Sequence, residues 1–273
     1  MSMELANVNI GLLGCGTVGA SLCKLIDEQS EAIAERTGLT LNVVMVAVRD
    51  VSRSRDVPID PSAFTDDSNL VIESPDVDVV VEVMGGINPS KELILKALEL
   101  GKPVVTANKE LLATHGDELY SSAKQSEVDL LFEAAVAAAI PIIRPLRESL
   151  VGEPITRVMG IVNGTTNFIL TKMTEENMPY ADALDEAQKL GYAESDPTAD
   201  VEGHDAAAKA AIIASLAFGG QVTLGDVHVE GITKITPEDI DFAHRLNHCI
   251  KLLAIAEKQK IDGEDALCVR VHP

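Results

Sequence analysis

Tryptophan is absent from this sequence, and three tyrosines and five phenylalanines make up its whole aromatic content, 3% of 273 residues. Leu, Ile, Val and Ala must therefore fill the core. Positive charge is also short: 22 Lys and Arg stand against 43 Asp and Glu, a formal net charge of -21. Such a surface repels nucleic acid and anionic membranes at long range, so neither is an expected partner. An anionic cofactor would have to be held locally, by backbone N–H groups and a few basic side chains. The four cysteines, Cys15, Cys23, Cys249 and Cys268, form no C-x-x-C pair and are too few for a disulfide scaffold in a chain this long. They read as free thiols of a reducing cytoplasm. Long apolar runs are missing too. The longest, residues 134–143, falls well short of the roughly 20 residues that span a bilayer. The opening Met-Ser-Met-Glu-Leu-Ala has no basic segment and reads as no signal peptide, so a cytoplasmic location is expected.

What is present is ordinary for a globular protein: 46% apolar and 24% charged residues, in a chain long enough for one large domain or two ordinary ones. Residues 8–13, 41–48, 77–84, 103–106 and 128–132 are short apolar runs of the kind that form buried parallel strands. Between them, residues 17–34, 90–100 and 110–125 have helical spacing. Strand and helix alternate, which predicts an α/β unit with a Rossmann-like, doubly wound parallel sheet over residues 1–147. The pattern then changes. Residues 158–162 and 266–271 read as strands and 180–190, 203–218 and 239–258 as helices, while 163–173 begins with a Gly-Thr-Thr-Asn cluster and becomes apolar. Residues 148–273 are accordingly expected to form an α+β domain.

Chemistry enters first at Gly14-Cys15-Gly16-Thr17-Val18-Gly19, a G-x-G-x-x-G pattern between a predicted strand and a predicted helix. Gly14 permits a tight turn, Gly16 a close approach of backbone to pyrophosphate, and Gly19 close packing of helix on strand. The first helical turn, from Thr17 and Val18, offers unpaired N–H groups to phosphate. A plain structural glycine turn is the bland alternative, and the strand-to-helix context favours dinucleotide binding. Val48-Arg49-Asp50 ends the second predicted strand. Arg49 there suits the 2′-phosphate of NADP, whereas an acidic residue suits the ribose of NAD. NADP(H) is therefore the expected cofactor, with NAD(H) possible; a merely solvated Arg49 is the other reading. The histidines, including His204, complete no metal set with cysteine, and Cys15 reads as a small packing residue.

Three further segments follow in order. They are Thr106-Ala107-Asn108-Lys109-Glu110, then Asn163-Gly164-Thr165-Thr166-Asn167, then the run from Gly191 through Tyr192, Glu194, Asp200 and Asp205 to Lys209. With the glycine loop ahead of them, this ordered set resembles the homoserine dehydrogenases, over about residues 8–273. The resemblance implies an NADP-preferring enzyme that interconverts L-homoserine and L-aspartate 4-semialdehyde, in the aspartate-derived route to threonine, methionine and isoleucine. It assigns Lys109 to a place between nicotinamide and substrate, and Lys209 to proton transfer. It assigns Glu194 and Asp205 to holding homoserine, with Gly191, Tyr192, Asp200 and Thr165 on pocket segments. Thr106 joins Lys109 on the cofactor side. Glu133, Val136, Ala138 and Ile140 match a sodium or potassium site made mainly of backbone carbonyls, where many relatives have glycines in place of Ala137, Ala138 and Ala139. A homodimer is implied, as is a continuation beyond Pro273 that completes a dimerisation sheet and, in many members, adds a threonine-sensing domain. The chain is thus expected to be a C-terminally truncated member.

The residues support this chemistry in their own right. Oxidising a primary alcohol needs a hydride acceptor and a base, and the ammonium of an amino acid needs carboxylates such as Glu194, Asp200 and Asp205. Asp205 and Lys209 stand four apart and share a helix face. An exposed pair of this kind contributes only about 0.3–0.5 kcal/mol. Here, however, alanines surround Lys209, a setting too apolar for a solvated face. Two alternatives remain: a truncated, non-catalytic dinucleotide-binding fragment of the same family, and a dehydrogenase for another amino acid.

Overall fold

A computed structural model describes residues 5–137 and 139–273. Its contacts divide the chain into two units, Met1–Ala135 and Val136–Pro273. In the first unit the five apolar runs become strands and a sixth, β3, joins them: β1 (Ala6–Leu13), β2 (Leu39–Ala47), β3 (Phe64–Thr65), β4 (Val79–Glu82), β5 (Val104–Thr106) and β6 (Leu130–Leu131). They lie in the order β3-β2-β1-β4-β5-β6, and every pairing is parallel. Leu12, Leu13, Val46, Val80 and Val104 are fully buried, as strands covered on both faces require. Each such side chain contributes about 1.5–3 kcal/mol of burial. The helices are α1 (Thr17–Glu28), α2 (Ser30–Thr37), α3 (Ser68–Glu73), α4 (Ser90–Glu99) and α5 (Lys109–Gln125). Strand order reverses between β1 and β4, and in sheets of this type the crevice at the strands' C-terminal ends there receives the ligand. The single helix expected over residues 17–34 is two, because Gln29 (φ -107°, ψ 11°) leaves helical geometry between α1 and α2.

The second unit is a mixed sheet under helices. Its strands are β7 (Arg157–Gly160), β8 (His228–Val229), β9 (Leu253–Ile261) and β10 (Glu264–His272), ordered β7-β9-β10-β8. β9 runs antiparallel to β7 and β10, while β8 is parallel to β10. The helices are α6 (Gly164–Glu175), α7 (Tyr180–Lys189), α8 (Thr198–Val201), α9 (His204–Phe218) and α10 (Pro237–Arg245). α9 buries nine of its residues, five of them alanine between Ala206 and Ala211, and packs against β9 and β10. A helix apolar on nearly every side belongs in a core, and small side chains let it approach the sheet closely. On the sheet's other face Glu257 holds Arg157 at 3.2 Å and Arg270 at 2.7 Å, across three strands. Residues 136–147, which the sequence reading grouped with the first domain, cluster with the second unit. Leu146 is buried, and the π-type turn Pro145–Ser149 packs on α9.

A second expected element is corrected. Residues 239–258 are not one helix. α10 begins earlier, at Pro237, under a capping box made by Thr236 and Asp239. It ends at Arg245, and Asn247 turns the chain at φ +57°. The following apolar run becomes β9, because a short continuous apolar run suits a buried strand as well as a helix and here it finds partners on both sides. Asp262 (φ +54°) and Gly263 (φ +87°) then close the β9–β10 hairpin, the Asp-Gly turn that favours this geometry.

Candidate active site

The glycine loop sits where β1 meets α1. Gly14 has φ +98° and donates its N–H to Ala47 O at 2.9 Å; a side chain there would press on Met84 and Val83. Gly19 is tighter still: an added Cβ would lie 2.3 Å from Gly14 O. Nothing lies within 4 Å of where a Cβ on Gly16 would point, and Gly16, Thr17 and Val18 are exposed. Gly16 caps α1 with no side-chain hydrogen bond, so the first amides of α1 point outward without a local acceptor. Open space in front of unpaired helix amides is what a pyrophosphate requires. Cys15 and Cys23 are buried in the core beside Ile10 and Leu12. Burial pushes both thiols up, Cys23 to about 11. They are packing residues, as the sequence implies for Cys15.

Arg49 stands exposed just past β2. Beside it the hydroxyl and amide of Ser52 hold the Asp50 carboxylate below its ordinary range. Sequence reasoning missed Arg55. Its guanidinium donates to Cys15 O at 3.4 Å and Asp50 O at 3.0 Å and lies over the Phe64 ring, tying the glycine loop to the end of β2. Glu82 was missed as well. It is fully buried at the end of β4, and its carboxylate accepts from Met84 N (2.8 Å), Gly85 N (3.0 Å) and the Thr106 hydroxyl (2.6 Å). Thr106 Oγ1 in turn accepts from Asn108 N, and Asn108 caps α5 through Leu111 N while donating to Gly86 O. The whole corner fixes the first residue of α5, Lys109, which is half-buried. A lone acid closing an apolar strand is the mark that could have revealed Glu82.

The second unit holds the charged residues. Lys209 Nζ donates to Asp205 Oδ2 at 2.6 Å and to Val162 O at 2.8 Å. Their side chains are 17% and 9% exposed, which rules out the solvated helix pair. Asn163 Nδ2 donates to both Asp200 (2.6 Å) and Asp205 (2.9 Å). The structure thus gathers Asp200, Asp205 and Lys209. Thr165 lies two residues after Asn163, its hydroxyl donating to Tyr192 O at 2.7 Å, so it anchors the loop after α7. Tyr192 stacks on Phe168 with centroids 4.8 Å apart and stays 58% exposed. Gly191 (φ +79°) turns that loop, and Glu194 is exposed on it, its carbonyl accepting from Gln188. Lys172 bridges Glu176 and Glu186, clamping α6 to α7; both carboxylates push its amine up.

Both halves of the sequence match known proteins. The family model described as homoserine dehydrogenase, NAD binding domain, matches residues 14–133, and that described as homoserine dehydrogenase matches residues 141–273. A homoserine dehydrogenase of Corynebacterium glutamicum is 54% identical over 97% of this chain. A hyperthermophilic archaeal homoserine dehydrogenase, solved in complex with NADPH, is 31% identical with a TM-score of 0.77, and the match covers 97% of this chain and 82% of that one. The chain belongs to the homoserine dehydrogenase family. The crystal structure of the Thiobacillus denitrificans homoserine dehydrogenase superposes with a TM-score of 0.91 at 41% identity, covering 99% of this chain and 62% of that one. This family member spans 60% of the length of the Corynebacterium relative.

Of the residues matched to a cation site, Ala138 lies outside the described residues. Val136 is buried, Ile140 is exposed and donates its N–H to Ala137 O, and Ala137 takes φ +61°. Among the described residues no group of three or more His, Cys, Asp and Glu could hold a metal. Among them, too, no helix is long and apolar enough to cross a membrane, and all four cysteines are free.

Proposed function

We propose that this chain carries the reaction centre of a homoserine dehydrogenase, oxidising L-homoserine to L-aspartate 4-semialdehyde and catalysing the reverse reduction. The observation that carries the reading is the Lys209 amine, held by Asp205 and the Val162 carbonyl within an otherwise apolar helix. A nicotinamide dinucleotide, when bound, supplies the hydride acceptor or donor. The α1 amides and the cleared space at Gly16 fit its pyrophosphate. Exposed Arg49 favours the 2′-phosphate, hence NADP(H) over NAD(H). In oxidation, the hydroxyl proton of homoserine passes to uncharged Lys209 as the carbinol C–H electron pair leaves as hydride and the carbonyl forms. In reduction, the ammonium form paired with Asp205 returns that proton. Asp200, Asp205 and Glu194 offer carboxylates to the substrate ammonium. Asp200 and Asp205 keep lone pairs beyond those that Asn163 and Lys209 occupy.

By family pattern, Lys109 serves the nicotinamide side, and carbonyls of the 133–140 segment take a sodium or potassium ion. No step is routed through that ion. A cytoplasmic homodimer, serving the route to threonine, methionine and isoleucine, belongs to the same proposal. The test is homoserine-dependent reduction of NADP at alkaline pH, followed at the nicotinamide absorbance, with NAD alongside. Turnover with a higher kcat/KM for NADP is expected. Retained cofactor binding with no turnover would overturn the catalytic reading in favour of a binding protein, and equal efficiency with NAD would overturn the role of Arg49.

A further inference from the structure

We infer that Asn163 is the positioning residue of the substrate half. Its amide clamps Asp200 and Asp205 side by side and, through Asp205, sets the place of the Lys209 amine. The catalytic consequence rests on the reaction proposed above; the clamp rests on geometry alone.

The orientation of the amide is fixed by its partners. Asn163 Oδ1 accepts from Thr166 N at 2.8 Å and from Thr166 Oγ1 at 2.9 Å, and a backbone N–H can only donate. Nδ2 must therefore face the carboxylates, and its two N–H bonds are matched to two acceptors, Asp200 Oδ1 and Asp205 Oδ2. Asn163 is 5% exposed, Thr166 fully buried and Asp205 9% exposed, so solvent cannot readily replace the bridge. Asp205 Oδ2 is the same atom that receives Lys209 Nζ. Moving the amide thus moves both carboxylates and, through Asp205, the Lys209 amine.

The position has a second duty: Asn163 is the N-cap of α6. This allows a clean separation, because aspartate caps a helix as well as asparagine does and has the same size. Asn163→Asp keeps the cap, removes both donors and puts a third carboxylate against two. Other charged groups stand on the elements packed against α6, α8 and α9, with half-buried Glu202 and exposed His204 just before Asp205. The turn before α6 brings only the Val162 carbonyl. From the elements packed on α9, Arg157, Glu257 and Arg270 pair among themselves on the sheet. Lys258 lies over Phe218, Asp226 binds Thr223, His228 is exposed, Arg144 pairs with Glu148, and Arg147 sits on the π-type turn.

The sign follows from linkage. A carboxylate forced beside like charges has its folded-state pKa raised, so its stability contribution is intact below the unfolded value and lost as pH rises through the folded one. The experiment compares the thermal midpoint of the parent chain, Asn163→Asp and Asn163→Ser from pH 4.5 to 8, with steady-state kinetics beside it. The expected result for Asn163→Asp is a deficit growing from about 1 °C at pH 4.5 to about 5 °C or more at pH 8. Asn163→Ser, which also caps, should show a deficit that changes little with pH. Adding Asp205→Asn to Asn163→Asp restores the parent's charge and should remove most of the pH dependence. For both single variants kcat should fall about 100-fold, as expected for a displaced catalytic group, with cofactor affinity within about twofold of the parent's. A pH-independent deficit in Asn163→Asp, or unchanged kcat, would overturn the clamp. An inactive parent with the pH-dependent deficit present would overturn the reaction and leave the clamp standing.

Discussion

In the glycine loop the functional groups are backbone amides, and the side chains contribute by their absence. Gly14 needs φ +98°, Gly16 keeps a space open, and Gly19 lets α1 rest on the carbonyl of Gly14. In the α9 cluster the functional groups are side chains, and the backbone contributes little beyond the Val162 carbonyl. Charge there is assembled from positions 37 and 42 residues apart in sequence, Asn163 with Asp200 and with Asp205. The two regions should fail in different ways. One is sensitive to an added atom; the other is sensitive to a single proton or amide.

The largest break in the comparison is expected at Gly19→Ala. A methyl 2.3 Å from Gly14 O must displace α1 or the loop, and loss of the aligned amides should weaken NADP binding at least about 100-fold, roughly the ~2.7 kcal/mol of a few backbone hydrogen bonds. Titration of cofactor fluorescence measures it, and an affinity within threefold of the parent's would show that the amides do not hold the pyrophosphate. A smaller effect, about 1–3 kcal/mol of stability, is expected for Glu82→Gln, which turns an acceptor of two amides and a hydroxyl partly into a donor. Denaturant unfolding should show the loss, and because the corner fixes the start of α5, cofactor affinity should fall with it. A stable variant would place no weight on Glu82. The smallest effect is a gain. Ala137 occupies φ +61°, where glycine is favoured, so Ala137→Gly should stabilise the chain by about 0.5–1 kcal/mol. A lower thermal midpoint would show that the strain is not real.

The same contrast explains what could be read in the sequence. Glycine spacing and apolar strands are local patterns, so the loop was legible from residues 8–19 and the parallel sheet from the strand–helix alternation over residues 8–132. Lys209 among alanines, with Asp205 four residues before it, was legible for the same reason. What was lost lay in tertiary partnership. The run before Ile261 became a strand because β7 and β10 were there to pair with it, although Asp262-Gly263 marked the hairpin. The break at Gln29 and the two-residue strands β3 and β8 leave no periodic trace. Asn163 sits in a segment singled out by its family pattern, yet nothing local distinguishes a helix cap from a cap that also bridges two carboxylates. Glu82 and Arg55 act through contacts across the unit in the same way.

The most direct test of the account is Lys209→Ala, with turnover of homoserine and affinity for NADP measured on the same preparation. Turnover is expected to fall to background, by at least about 1,000-fold when the proton-transferring group is removed, with NADP affinity within about twofold of the parent's because the glycine loop is untouched. Turnover within tenfold of the parent's would contradict the account, since the amine gathered with Asp205, Asp200 and Asn163 would then have no part in the chemistry.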